Sequence, residues 1–572
     1  MRYVFRWAAV AALTALLACT SLMEAPPRNS PREPGNRGRS ESVALTNTFV
    51  EQNGTEGEAI VGIAISGGGS RAANFAASVM AELDRIGVMR KVTAISSVSG
   101  GSVAASYLAI HGDEPDRNTA PEVFWARTKA VLSEDFRSRW LERWLRPDQL
   151  TQTLVSNRTR TDVMADIFDE KFLNGATFTD LAKKKPALFI DATFVNDLPG
   201  RLFDPACTNR GSLSPRVRWE SMAFDDTFLA YCLGTSASSL RVSTAVTASA
   251  AFPGVFNTVT LKRHQQDAKA PSYVHLIDGG PSDNLGMDGL LGRLQPEAGM
   301  KATYADACLL IIIDAFASGD PDQRHLERDL RSPVDQLVDL NFVDAVDAML
   351  ARRRFDTLQR LGLTPPSLSD AYGGYMPKDD FPLPGNRYEI LKAARRFTPA
   401  VSVRTAMGYP AQSEDLKCAV WHIALDNITS TMAGQAVENK QLVSVFHPEN
   451  GLEKLIQTNE WFERPEVQHR LRVGELVSRI RTDFNLVGPK HCKAKQLSDA
   501  LWEAGRLAVQ EDWTSRRAVC GWFKARGWMV ADACNALPEP TARLPFSIEF
   551  EPLPGPTSEG FDVTCIDTKA GS

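Results

Sequence analysis

Several landmarks are missing from this 572-residue chain. It has no C-x-x-C pair, no H-E-x-x-H and no glycine loop ending in G-K-[ST], so neither a zinc site of common spacing nor a P-loop is written in it. Excess charge is missing too: 64 basic against 69 acidic residues leave −5, which excludes nucleic-acid binding driven by bulk charge. Runs of apolar residues long enough to cross a bilayer are absent. The run at residues 7–18 has 12 residues where about 20 are needed. At 43% hydrophobic and 23% charged, the composition is that of a folded globular protein, neither a multispan membrane protein nor a disordered chain. The length admits one large core with insertions or a second module.

What is present begins at the N-terminus. Arg2 and Arg6 precede the short apolar run, and Leu16-Leu17-Ala18-Cys19 follows. This pattern predicts a signal peptide over residues 1–18 with a lipobox, and lipidation of Cys19; an ordinary cleaved signal is the alternative. Residues 24–42 are rich in Pro, Arg, Ser and Gly and form a predicted tether within a linker at 19–57, with a reach of roughly 25 Å. The expected location is a membrane-anchored bacterial lipoprotein, and Thr20 after the cysteine favours the outer membrane, facing the periplasm. Eight cysteines remain after Cys19, an even number that permits disulfides in an exported chain, with 105 possible full pairings. Cys207 with Cys232 and Cys520 with Cys534 are the local pairs; Cys308 lies inside the apolar run at 307–313 and reads as a core residue.

The folded part starts near residue 58. An apolar run at 59–65 enters Ser66-Gly67-Gly68-Gly69-Ser70-Arg71, and a helical pattern at 72–86 follows, with Phe75, Val79, Met80 and Leu83 on one face and Gly87 as its stop. A second strand at 92–96 runs into Ser97-Val98-Ser99-Gly100-Gly101 and another helix. Two strand-turn-helix units in succession predict an α/β fold with a mostly parallel sheet covered by helices. Further strands are expected at 187–194, 273–277, 309–313 and 420–425. Long insertions are expected at 116–174 and 321–399, and mostly helix at 430–512. Residues 58–512 form the expected catalytic domain and 513–572 a C-terminal extension.

Three polar motifs follow three of these strands: the glycine loop, Ser99, and Asp278-Gly279-Gly280. In a parallel sheet the strand C-termini share one rim, so the three should converge. Ser99 in a sharp strand-to-helix turn is either a nucleophile or a cap of the helix that follows. Gly67, Gly68 and Gly69 offer amides for an oxyanion hole; they also match a dinucleotide loop, but no acid stands at the end of the second strand to hold a ribose. Asp278 is either a strand-end cap or a base, and as a base it needs burial to raise its proton affinity. The stretch Trp140-Leu141-Glu142-Arg143-Trp144-Leu145 either touches lipid or packs as an amphipathic helix on the core.

These motifs, with Ser249-Ala250-Ala251-Phe252-Pro253 between them and Asp278 to Gly286 reading DGGPSDNLG, resemble the patatin-like phospholipase family. The resemblance covers residues 60–286. It implies a three-layer α/β/α fold and hydrolysis of fatty-acyl esters of lipids or phospholipids by a Ser-Asp dyad through an acyl-enzyme. It assigns Ser99 as nucleophile and Asp278 as base, with the Gly67, Gly68, Gly69 and Gly100 amides as oxyanion hole. Arg71 either orients the loop or meets a lipid phosphate. The family's elbow has glycine where Ser97 stands. The expected partners are a lipid substrate and a membrane surface, with no cofactor, no metal and no nucleic acid. Two other readings stand beside it: a Ser-His-Asp esterase drawing on His325, His422, His447, His469 or His491, and a non-catalytic tethered scaffold.

Overall fold

The structure, a computed structural model, describes residues 28–31, 59–181, 186–195, 207, 220–225, 227–264, 272–294, 307–317, 341–363, 396–412, 415–429, 442–447, 452–457, 465–489, 491–534, 547–551 and 562–566. Cys19, the signal and the tether beyond residue 31 lie outside the described residues. None of the described helices is long and apolar enough to cross a membrane.

A nine-stranded sheet organises the chain. Its strands are β1 (Ile60–Ile65), β2 (Ala94–Val98), β3 (Ala187–Phe194), β4 (Ser221–Phe224), β5 (Val259–Lys262), β6 (Tyr273–Asp278), β7 (Cys308–Asp314), β8 (Phe397–Ser402) and β9 (Lys417–Ala424). The order is β5-β6-β3-β2-β1-β7-β9-β8, with β4 also on β3. The helices that matter here are α1 (Gly69–Arg85), α2 (Gly100–His111), α3 (Phe136–Trp144), α4 (Val242–Ser249), α5 (Met287–Leu294), α6 (Asn341–Arg360), α7 (Ala494–Gln510) and α8 (Trp513–Lys524).

Strand alternation sorts the apolar side chains into two layers. Val61, Ile63 and Ile65 of β1 join Ile311 and Ile313 of β7 on one face, under Phe75, Val79 and Leu83 of α1 and Leu497, Leu501 and Ala504 of α7. Ile60 and Ala64 join Leu310 and Ile312 on the other face, under Leu290 and Leu291 of α5 and Leu358 of α6. Helices therefore cover both faces of the sheet, the three-layer plan read from the sequence. The stop of α1 is also as expected: Gly87 turns with φ 86°, and the Val88 N–H returns to the Leu83 carbonyl.

The centre of the sheet, β3-β2-β1-β7-β9, is parallel, and both flanks are antiparallel. This corrects the argument for convergence. β6 runs antiparallel to β3, so its C-terminus points away from the rim that carries Ser99. It meets Ser99 through register: Val98 pairs with Asp191, and the next residue of β3, Ala192, pairs with Asp278, level with Ser99. The residues converge although the stated reason fails.

The stretch at 430–512, expected to be mostly helix, carries helices at Pro465–Ser478 and Ala494–Gln510 together with an antiparallel hairpin of Leu442–His447 and Leu452–Gln457. One further expectation is revised. Cys308 is no lone core residue. Registered opposite Cys418 across β7 and β9, it forms a disulfide with a Cα–Cα distance of 4.3 Å. The other bridges are Cys207–Cys232, Cys520–Cys534 and Cys492–Cys565. In α3, Trp140 is buried against Trp144 and Phe256, so this helix packs on the core and leaves Leu141 and Leu145 exposed. α8 buries Val519 and Phe523 in the same cluster as α1, so packing is continuous through residue 512.

Peptide mapping without reductant is expected to join the peptide of Cys308 to that of Cys418. Replacing both by Ala should lower stability by about 2–4 kcal/mol in chemical denaturation; free thiols at both positions would refute the pairing.

Candidate active site

β2 ends at Val98 and α2 begins at Gly100, leaving a single residue to make the turn. Ser99 makes it with φ 51° and ψ −121°, a backbone region that costs a side-chain-bearing residue about 1–3 kcal/mol. Its side chain makes no capping bond to α2, so the helix-cap reading is not what the structure holds. The hydroxyl lies instead beside the Asp278 carboxyl, whose charged form it favours. Room for this turn comes from close backbone approach: a Cβ on Gly100 would collide with the Gly69 carbonyl. Ser97, which stands where the family's elbow has glycine, is fully buried and donates to the Phe189 carbonyl at 3.2 Å, so its hydroxyl is satisfied inside the sheet.

Asp278 and Ser99 are only 5% and 7% exposed. The Asp278 carboxylate accepts the Gly280 N–H on Oδ1 at 2.8 Å, and the Ser99 hydroxyl also favours its charged form. Burial disfavours its charge, and these two donors only partly offset that, so its pKa is pushed up to about 6. The backbone holds it from behind: its N–H donates to the Ala251 carbonyl at 3.0 Å, and the Gly279 N–H to the Ser249 carbonyl at 3.1 Å. Asp283, in the helical turn after the two glycines, is also pushed up, to about 7, by burial and by the Asp288 charge. Its carboxylate accepts the Asp288 N–H at 2.6 Å.

The glycine loop lies against the elbow. Gly68 has φ 134° and Gly69 φ 57°, conformations that strain any residue with a Cβ. Among the described residues no acceptor takes the N–H of Gly68, Gly69 or Gly100, the latter two being the first residues of α1 and α2. The Gly67 N–H is different: it donates to the Asn284 carbonyl at 3.1 Å and is committed to structure. Three supports fix the loop. Ser66 Oγ accepts the Ala315 N–H at 2.8 Å, Asn284 holds Gly67, and the Asp483 carbonyl accepts the Ser70 N–H at 2.7 Å. Arg71 donates from Nη1 to the Ile480 carbonyl at 2.9 Å, which ties the loop to the same distant segment.

The arrangement brings a hydroxyl, a carboxyl of raised proton affinity and three amides without acceptors to one place. Ser66, Ser249, Asn284 and Asp483 support it, and the sequence reading assigned none of them a role; the first three lie inside motifs it quoted, while Asp483 has no local signal. Among the described residues no histidine bonds to Ser99 or Asp278. His422 is buried on Asp314 at 3.0 Å, His469 holds Glu503 at 2.7 Å, and His275 meets Thr260 at 2.8 Å. His325 and the His447 side chain lie outside the described residues. No group of three or more His, Cys, Asp or Glu among the described residues could hold a metal ion.

Residues 63–291 match the family model of the patatin-like phospholipases. None of the curated proteins matches the chain. Among solved structures, human GIVD cytosolic phospholipase A2 is 12% identical with a TM-score of 0.37, the match covering 90% of this chain and 67% of that one. The same human enzyme in complex with methyl gamma-linolenyl fluorophosphonate is 14% identical with a TM-score of 0.36, covering 90% and 64%. VipD from Legionella pneumophila is 13% identical with a TM-score of 0.19, covering 84% and 90%. The chain thus spans about two thirds of the human enzyme chains.

The hydroxyl of Ser99 stabilises the charged form of Asp278, so Ser99→Ala should move the Asp278 titration above about 6. Carboxyl-detected NMR, with Asp278→Asn to assign the signal, reads the shift; an unchanged or lower midpoint would show that the two groups are not bonded.

Proposed function

We propose that this chain, which carries a patatin-like phospholipase domain over residues 63–291, is a serine acyl hydrolase that cleaves fatty-acyl esters of lipids by a Ser99–Asp278 dyad. The observation that carries the reading is the Ser99 hydroxyl, held at a strained strand-to-helix turn, beside a buried carboxyl whose pKa is pushed up to about 6, with no histidine bonded to either group among the described residues.

In this mechanism Asp278 takes the Ser99 proton as Oγ attacks the ester carbonyl. The carbonyl oxygen becomes an oxyanion facing the Gly68, Gly69 and Gly100 amides, and each such donor contributes about 3 kcal/mol to the transition state. Asp278 then returns the proton to the leaving alcohol. Water, deprotonated by the same carboxylate, releases the fatty acid from the acyl-enzyme. Gly67 is left out of the hole because its N–H is already taken, and Arg71 acts on the loop through its grip on residue 480. The proposed setting is a membrane surface outside the cytoplasm, with lipidated Cys19 as anchor. Four disulfides among the eight cysteines after Cys19 support an oxidising compartment.

A fluorophosphonate probe should label the protein on Ser99, and Ser99→Ala should abolish labelling. Asp278→Asn should lower kcat on a soluble ester by about 10²–10⁴-fold. A folded protein that is neither labelled nor active would sink the assignment.

The base must be ionised to act, so kcat/KM should be level above pH of about 7 and fall as pH drops through about 6, tenfold for each further unit. A profile flat from pH 5 to about 8 would remove Asp278 as the base.

A further inference from the structure

We propose that Ser249 is a positioning residue for acyl transfer, a buried residue whose hydroxyl holds the nucleophile's turn while its backbone holds the strand end that carries the base. The inference rests on the reading of Ser99 and Asp278 given above. Ser249 is the last residue of α4, a helix buried along its whole length, and is itself fully buried. Its two polar ends reach the two halves of the dyad. The hydroxyl oxygen accepts the Ser99 N–H at 2.8 Å, and the carbonyl accepts the Gly279 N–H at 3.1 Å, one residue past Asp278. Two residues further on, the Ala251 carbonyl takes the Asp278 N–H at 3.0 Å.

Ser99 needs this partner for a physical reason. Its N–H lies ahead of the first turn of α2 and has no intrahelical acceptor, it is buried from water, and its residue holds a strained positive φ. With an acceptor fixed in the adjoining layer, the strained backbone is also the one that satisfies its hydrogen bond. Without one, the turn gains by relaxing toward a commoner conformation, and Oγ swings off the Asp278 carboxylate. The hydroxyl of Ser249 is oriented in turn by Ser102 Oγ at 3.0 Å, in the first turn of α2. The acceptor is neutral, so it fixes the elbow without placing a second negative charge beside Asp278, whose proton affinity stays set by burial.

The test uses the full chain, a soluble short-chain ester and a fluorophosphonate probe. Ser249→Ala should lower kcat by roughly 10²-fold with KM unchanged, the effect of a reacting atom misplaced by about 1 Å, and slow labelling of Ser99 in parallel. Ser102→Ala, which leaves the acceptor in place but unoriented, should show a smaller kcat loss at unchanged KM. The double variant should be no worse than Ser249→Ala, because both act through one bond. Wild-type kcat in a folded Ser249→Ala overturns the inference, as do additive losses or a KM that rises with the loss. If Ser249→Ala does not fold, Ser102→Ala decides: unaltered kcat overturns the proposal. Activity in the unaltered chain separates these outcomes from failure of the hydrolase reading, since a wild-type protein that neither turns over ester nor labels takes both down together.

Discussion

A carboxyl group can draw a proton from serine only where water does not level it, and keeping it there requires that few donors stabilise its charge. Asp278, with the Ser99 hydroxyl beside it, sits at that balance. Burial raises the carboxyl to about 6, and only the Gly280 amide and the Ser99 hydroxyl pull against it. Relative to the ordinary value of 3.8, this corresponds to roughly 3 kcal/mol between its two protonation states. A second buried aspartate in the same sheet shows what a different setting does. Asp314 ends β7 with no exposure, yet the Arg354 guanidinium at 2.6 Å and His422 at 3.0 Å outweigh its burial and hold it well below the carboxylate range. Two buried strand-end aspartates thus receive opposite settings from their neighbours: Asp314 is held as an anion, while Asp278, which no cation among the described residues is seen to offset, has its proton affinity raised.

The strands that carry the site were legible because buried strands are written as apolar runs. β1, β2, β3, β6, β7 and β9 fall where those runs lie, and polar motifs mark the ends of β1, β2 and β6. Direction was not legible. An apolar run reads the same whichever way the strand points, and the direction of β6 is set by its connection through β5, with which it forms an antiparallel pair. The short strands β4, β5 and β8 carry too few apolar residues to stand out. Register does what direction cannot: Ala192 opposite Asp278, one step beyond Asp191 opposite Val98, brings the carboxyl level with the elbow.

Between local readings of equal merit, only spatial neighbours decide. A serine at a strand-to-helix turn caps the helix or serves another group, and the choice at Ser99 depends on Asp278, 179 residues away. A thiol in an apolar run is core or bridge, and the choice at Cys308 depends on Cys418 in the register of the next strand. The same holds for Asp483. Nothing in its surroundings, Arg-Thr-Asp-Phe-Asn, announces that its carbonyl will hold the Ser70 amide or that Phe484 will pack on Phe168 and Phe256. Such contacts are made by backbone and by rings that the local pattern would place in any loop.

These distant contacts bear on what a functional unit is in this chain. Residues 63–291 contain Ser99, Asp278 and the glycine loop, and by motif alone would pass for the whole site. Of the supports that hold the loop they contain Asn284, on Gly67, and lack the rest. β1 is a central strand only because β7 pairs its free side from Ile60 to Ile65; without β7 it would be an edge with unpaired backbone groups, ending in the loop that must stay rigid. The Ala315 amide on Ser66, the residue 480 carbonyl on Arg71 and the Asp483 carbonyl on Ser70 all come from beyond residue 291. Within the matched segment, α4 and the Ser249 hydroxyl hold the elbow to the aspartate. Ser99 and Asp278 are therefore brought together by one part of the chain, and the glycine-loop amides beside them are aimed largely by another. The long C-terminal half belongs to the site through the backbone it lends to three glycine-loop residues.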